Sequence, residues 1–206
     1  FGLLDVGQAK KGQTVLVSGA AGATGSVAAQ IAKIQGCRVI RLSGGADKFA
    51  WLTVYLGRDA AIDYKREDVS DRLGALCPDG VHVYFDNVGG AILESAIAHM
   101  AQGGRIACCG MIAGYNDAEP QPGPNNLFLL IARRITMAGF LVPDFAPRFE
   151  EARRELSAWL ASGQLQARED VQEGFDQIPA TFLRLFSGRN VGKQVLKVAD
   201  RTSATA

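Results

Sequence analysis

The chain has 206 residues, with 22 Lys and Arg against 21 Asp and Glu, a net charge of +1, 48% hydrophobic residues and 8% aromatic residues. It is long enough to bury one sizeable core, or one core and a smaller appendage. Its near-neutral balance, with no basic stripe, leaves no electrostatic footprint for nucleic acid or an anionic membrane.

Cys37, Cys77, Cys108 and Cys109 have no C-x-x-C spacing and no companion histidines. That speaks against a disulfide framework or a zinc knuckle, and predicts reduced thiols in a cytoplasmic protein. No residue between Lys11 and Lys33 is charged, but Ser18, Gly19, Gly22, Thr24, Gly25 and Gln30 make that stretch too polar for a membrane span. The opening Phe1-Gly2-Leu3-Leu4-Asp5 has neither the basic n-region of a signal peptide nor a start Met.

Residues 13–18, QTVLVS, are apolar, β-branched and short, as a buried parallel strand requires. A glycine turn follows. From Thr24 to Gly36 the period becomes helical, with Val27, Ala28, Ile31, Ala32 and Ile34 on one stripe, and residues 37–42 read as a second strand. A helix of that length between two strands is a βαβ crossover. The alternation continues: a helix from Asp47 to Leu56, a strand at 60–62, a helix at 67–76, a strand at 81–85, a helix at 91–100 and a strand at 105–109. Repeated βα units predict an α/β, Rossmann-type doubly wound parallel sheet with helices on both faces. Residues 111–124 form a long loop, a helix spans 127–134 and a strand spans 135–141. Beyond Pro143 the texture changes. Phe149, Ala152, Leu156, Trp159 and Leu160 recur at helical spacing, Pro179 opens another helix that Gly188 closes, and 195–198 is a last strand. The division expected is a Rossmann domain over 1–143 and a C-terminal piece over 144–206 that completes the fold.

The strongest motif is residues 15–26, VLVSGAAGATGS. Small residues at 19, 20, 22 and 25 let the backbone turn tightly, approach a pyrophosphate and pack the helix against the strand, while the helix N-terminus presents unpaired N–H groups to the anion. The bland alternative is a tight βα turn, but the strand before and helix after supply the context a dinucleotide loop needs. No Lys-Ser/Thr ending follows, which speaks against a nucleoside triphosphate.

After the second strand no acid is placed for the two ribose hydroxyls of NAD. Ser43, an open glycine pair and Lys48 suit a 2′-phosphate, so NADP is favoured, and Asp47 reads as a helix cap. Tyr64 and Asn87 fall at the carboxyl ends of strands, the edge that lines the ligand crevice. Asp86, Asn87 and the following glycines also fit a plain turn. Cys109 and Gly110 open the corresponding loop one unit later, where a nicotinamide should arrive. Cys108 and Cys109 read as buried strand residues, and His82 and His99 as packing or surface residues. With two His and no G-x-S-x-G, a hydrolase triad has little material.

Four segments together, residues 17–26, 59–65 (DAAIDYK), 83–90 (VYFDNVGG) and 188–193 (GRNVGK), resemble the zinc-independent medium-chain dehydrogenase/reductases. They are most similar to the branch of prostaglandin and leukotriene B4 reductases, alkenal/one reductases and curcumin reductases. The resemblance implies that Gly22 to Gly25 hold the pyrophosphate, Lys48 the 2′-phosphate, and Tyr64 and Asn87 the adenosine and ribose side. It places Cys109 to Tyr115, Phe140, Leu141, Val142 and Asn190 around the nicotinamide. It also implies an NADPH-dependent reduction of the C=C bond of an α,β-unsaturated ketone or aldehyde. Hydride would go to the β-carbon and a proton to the α-carbon, without a metal, and Tyr115 would polarise the carbonyl or position the ribose. A GroES-like catalytic domain is expected before this half, with the piece over 144–206 facing it, and a homodimer is expected through the strand at 135–141. The chain departs from the family at Ala113, where Ser is usual, and at Gly114, which loosens that loop. A quinone oxidoreductase of the same superfamily and an isolated NADP-binding module stay open as rivals.

Overall fold

A computed structural model describes residues 1–52, 60–119 and 121–199. Six parallel strands form the main sheet: β1 (Thr14–Val17), β2 (Arg38–Ser43), β3 (Ala61–Asp63), β4 (Val81–Asp86), β5 (Met100–Cys108) and β6 (Thr136–Gly139). Their spatial order is β3-β2-β1-β4-β5-β6, the doubly wound order expected from the sequence. Order reverses between β1 and β4, which pair through Val15 with Val83, Leu16 with Tyr84 and Val17 with Phe85. Ligands of such sheets lie at that switch point, outside the carboxyl ends of the strands.

Near-continuous apolar strands are buried on both faces because helices cover both. On one face Val15, Val17, Val39, Val83, Phe85 and Ala107 meet Ala28, Ala29 and Ala32 of α1 (Ala23–Ile34). The alanines remove side-chain bulk and let α1 lie close to the sheet. On the other face Leu16, Ile40, Leu42, Ile62, Tyr84 and Ile106 meet Leu73 of α3 (Val69–Leu76) and Leu93, Ala96 and Ile97 of α4 (Gly90–Ala98). Asp68 caps α3 by accepting from the Asp71 N–H at 2.8 Å. Between β2 and β3 lies α2 (Ala46–Ala50); the helix expected to run to Leu56 continues into residues outside those described.

Several boundaries differ from the sequence reading. β5 starts at Met100, where a helix end was expected, because Met100 pairs with Val81 and a register shift between Val81 and Val83 absorbs the glycine pair 103–104. Asp47 does not cap α2: the N-cap is Gly45, with no side-chain cap bond, and Asp47 sits in the first turn. α5 (Phe128–Arg133) ends where Arg134 turns left-handed at φ 53°.

The C-terminal part holds α6 (Phe149–Ala161), β7 (Glu169–Glu173), α7 (Ile178–Phe186) and β8 (Lys193–Lys197). β7 and β8 pair in parallel as a separate two-stranded sheet. β7 was not foreseen, since its sequence EDVQE carries one apolar residue. It is held by pairing with β8 and by Asp170, whose carboxylate accepts from Arg184 at 2.8 Å and from the Val191 N–H at 3.2 Å. No described helix is long and apolar enough to cross a membrane.

Candidate functional site

The loops that leave the carboxyl ends of all six strands share one edge of the sheet, and most residues singled out from the sequence stand there. The glycine loop follows β1. Gly22 is the N-cap of α1 with no side-chain bond. The N–H groups of Ala23, Thr24 and Gly25 donate to no acceptor among the described residues, so the first turn of α1 offers three donors and the positive end of its dipole. The loop is fixed from below by Ala20 N–H on Leu42 O at 3.0 Å and from the C-terminal part by Gly192 N–H on Ala21 O at 2.7 Å. A parallel bridge joins Gly22 to Gly192. The segment carrying Asn190 is thereby docked on the loop, an arrangement the sequence did not reveal.

Under β2 and β3 the structure gathers a cationic corner. Ser43 is buried at the end of β2. A Cβ at Gly44 would fall 2.7 Å from Tyr64 Cζ and 2.9 Å from Lys65 Cγ, so both side chains press on that loop. Burial, then the like charge of Lys65, pull the Lys48 ammonium below the ordinary lysine range, with Asp170 opposing. Burial, then Asp63, push the Tyr64 phenol up. A Cβ at Gly188 would lie 3.8 Å from Lys48 Nζ, which brings the turn before Asn190 to the same corner. Asp63, which the sequence reading left unassigned, ties this corner together: its Oδ1 accepts from Gly45 N–H at 3.3 Å and Lys65 N–H at 3.1 Å.

At the switch point Asn87 is held twice by Ser18. Its N–H donates to Ser18 Oγ at 2.9 Å and its Nδ2 to Ser18 O at 2.7 Å. The next loop hangs from this one: Cys109 and Gly110 N–H donate to Asp86 O at 2.7 and 3.1 Å, Ile112 N–H to Asn87 O at 3.3 Å and Ala113 N–H to Val88 O at 3.0 Å. Burial, then the Asp86 charge, push the Cys108 and Cys109 thiols above their usual range, so neither is primed as a nucleophile. Tyr115 is 59% exposed, and its Oη accepts from Met111 N–H at 3.4 Å over the start of its own loop.

The remaining candidates separate. The Phe140 ring turns inward, tilted against Phe85 at 6.1 Å and edge-on to Phe145 at 6.4 Å, while Leu141 and Val142 are exposed. Asn190 spends its Nδ2 on Gly192 O at 3.1 Å, a bond within its own turn. Among the described residues no three His, Cys, Asp or Glu side chains converge as a metal site.

Residues 23–161, from the start of α1 to the end of α6, match the family described as zinc-binding dehydrogenase. The chain belongs to the zinc-binding dehydrogenase family. Within it, the chain is 38% identical over 204 residues to the NADPH-dependent curcumin reductase of Escherichia coli (strain K12), covering 97% of this chain and 59% of that protein. It is 42% identical over 199 residues to the 2-alkenal reductase (NADP(+)-dependent) of Nicotiana tabacum, covering 96% and 58%. The crystal structure of CurA in complex with NADPH from Vibrio vulnificus aligns with a TM-score of 0.91 at 37% identity, over 97% of this chain and 60% of that one. The chain thus spans about three fifths of the length of these dehydrogenase-family relatives.

Proposed function

We propose that this chain is the cofactor-binding part of an NADPH-dependent, zinc-independent enone reductase. One observation carries the reading: a glycine loop with three free first-turn N–H groups lies on the same crevice edge as Lys48, which is half-buried beside a second cation, Lys65, with Asp170 opposing. The donor set fits the dinucleotide. The α1 terminus suits a pyrophosphate, and Lys48 with Tyr64 beside the Ser43 loop suits a 2′-phosphate where a carboxylate would repel it. Relatives named for NADPH-dependent curcumin reduction and for NADP-dependent 2-alkenal reduction support both cofactor and substrate class.

When bound, the cofactor supplies the hydride that adds to the β-carbon of an α,β-unsaturated carbonyl, the α-carbon taking its proton from solvent. The chain's own residues bind and orient. Asn87, fixed by Ser18, steadies the switch point, and Tyr115 stands at the exposed end of the next loop, free to donate to a developing enolate oxygen. The C-terminal piece expected over 144–206, described as far as residue 199, completes the fold and faces the rest of a longer enzyme; the exposed Phe175, Phe182 and Leu183 support that placement. A homodimer through the edge strand β6 fits the exposed Phe128, Ile131 and Met137 beside it. The four unpaired cysteines fit a cytoplasmic setting, and the substrate is a small molecule.

A fluorescence titration of this chain tests the cofactor reading: NADPH is expected to bind at least tenfold more tightly than NADH, and a preference for NADH would overturn it. In the full-length enzyme, Tyr115→Phe is expected to lower kcat for an enone roughly tenfold or more, the scale of one lost donor to an oxyanion. An unchanged kcat would remove Tyr115 from the chemistry. Turnover of quinones in preference to enones would favour the quinone oxidoreductase reading.

A further inference from the structure

The buried carboxylate at the switch point has no part in the cofactor contacts assigned above. Asp86 is 1% exposed. Its Oδ1 accepts from the Tyr84 hydroxyl at 2.6 Å, Ser18 Oγ at 3.0 Å, Val88 N–H at 2.9 Å and Gly89 N–H at 3.0 Å. All four donors are neutral, and among the described residues no Lys, Arg or His pairs with it. Hydrogen bonds offset part of the cost of burying that charge, yet a carboxylate without a counter-cation remains an expensive thing to keep in a core. A turn could be braced by a neutral Asn or Ser at far smaller cost.

The place of this charge suggests its use. Asp86 closes β4 at the point where strand order reverses, and its own carbonyl carries the N–H groups of Cys109 and Gly110, the loop assigned to the nicotinamide end. The field extends into that loop, since it helps hold the Cys108 and Cys109 thiols protonated. Oxidation adds one positive charge to the nicotinamide ring and leaves the rest of the dinucleotide unchanged. A fixed, preorganised anion at the base of the loop assigned to the nicotinamide would interact with that added charge more strongly than it would in water.

We infer that Asp86 supplies the missing counter-charge to the oxidised nicotinamide and so tilts the site toward NADP+ over NADPH, which favours departure of the hydride toward the substrate. The inference rests on the NADP reading above. Its test measures Kd for NADPH and for NADP+ on this chain by titration, with the fold of each variant checked by circular dichroism. The ratio Kd(NADP+)/Kd(NADPH) is expected to rise about tenfold in Asp86→Asn, which keeps an acceptor oxygen, and in Asp86→Ser, which keeps a capping hydroxyl. It should stay within twofold in Tyr84→Phe, which removes the 2.6 Å bond but leaves the charge. A ratio unchanged in the folded neutral variants would overturn the inference, as would failure of both neutral variants to fold, which would assign Asp86 to the turn alone. A wild-type chain that binds neither dinucleotide would bring down the NADP reading itself, a failure visible before any variant is made.

Discussion

Gly25→Ala is expected to abolish NADPH binding by this chain, raising Kd more than a hundredfold, and to lower the melting temperature. A Cβ at position 25 would stand 2.3 Å from Gly19 O, 2.7 Å from Gly19 C and 2.9 Å from Ala20 Cα. These are backbone atoms of the loop itself, and no side chain can rotate to make room. The first turn of α1 must move away from the end of β1, and Ala23, Thr24 and Gly25 lose the alignment of their free N–H groups. Overpacking of this kind costs about 1–3 kcal/mol in a well-packed site, and the clash falls on the turn proposed to hold the pyrophosphate. Gly123→Ala is the control: nothing lies within 4 Å of its added Cβ, and affinity should stay within twofold. Fluorescence titration of both variants, with thermal melts, checks the pair. Wild-type affinity in Gly25→Ala would show that the glycine loop does not hold the pyrophosphate.

Lys48→Ala is expected to weaken NADPH by ten- to a hundredfold while leaving NADH within about twofold. The scale is one charge-assisted contact, about 1.5–3 kcal/mol. The lysine is partly buried, and Lys65 disfavours its charged form. Two cations held together in this way are each relieved when a dianionic phosphate enters between them. The same feature fixes a pH dependence. Because the folded chain holds the Lys48 pKa below the ordinary lysine value, its positive charge is lost at lower pH than in a free lysine. The preference for NADPH over NADH should therefore shrink as pH rises, starting before ordinary lysines deprotonate. Titrations at neutral and alkaline pH measure this. Equal losses for both dinucleotides in Lys48→Ala would mean that the 2′-phosphate is read by other residues, with Lys65 the first to examine.

Strand identity and the doubly wound class were legible because they rest on local periodicity. The β-branched runs at 14–17, 38–43 and 81–86 cannot satisfy a helical stripe, and the alanine-rich stripe of α1 cannot satisfy a strand. The glycine loop was legible for a similar reason. Its steric demand at Gly25 comes from atoms five and six positions away in the same turn. Lys48, Tyr64 and Asn87 could be placed at the carboxyl edge of the sheet because parallel topology puts every strand's carboxyl end on one side.

What tertiary structure alone decided were contacts between segments distant in the chain. β7 carries almost no strand signal of its own, and exists as a strand because β8 and Arg184 pair with it. The docking of Gly192 on Ala21 joins positions 171 residues apart (192 − 21). The Phe140 ring, expected around the nicotinamide, packs with Phe85 and Phe145, rings that come from β4 and from the segment after β6. Asp86 read as part of a turn because its neighbours in sequence are turn residues. Tyr84, Val88 and Gly89 reach it from within three residues, but the fourth donor arrives only when β1 lies beside β4 and brings Ser18 to it. Local sequence thus determined the elements and the glycine loop, through backbone sterics and side-chain period. The electrostatics of the site were decided by folding, because a charge acquires its environment from whatever the chain packs against it.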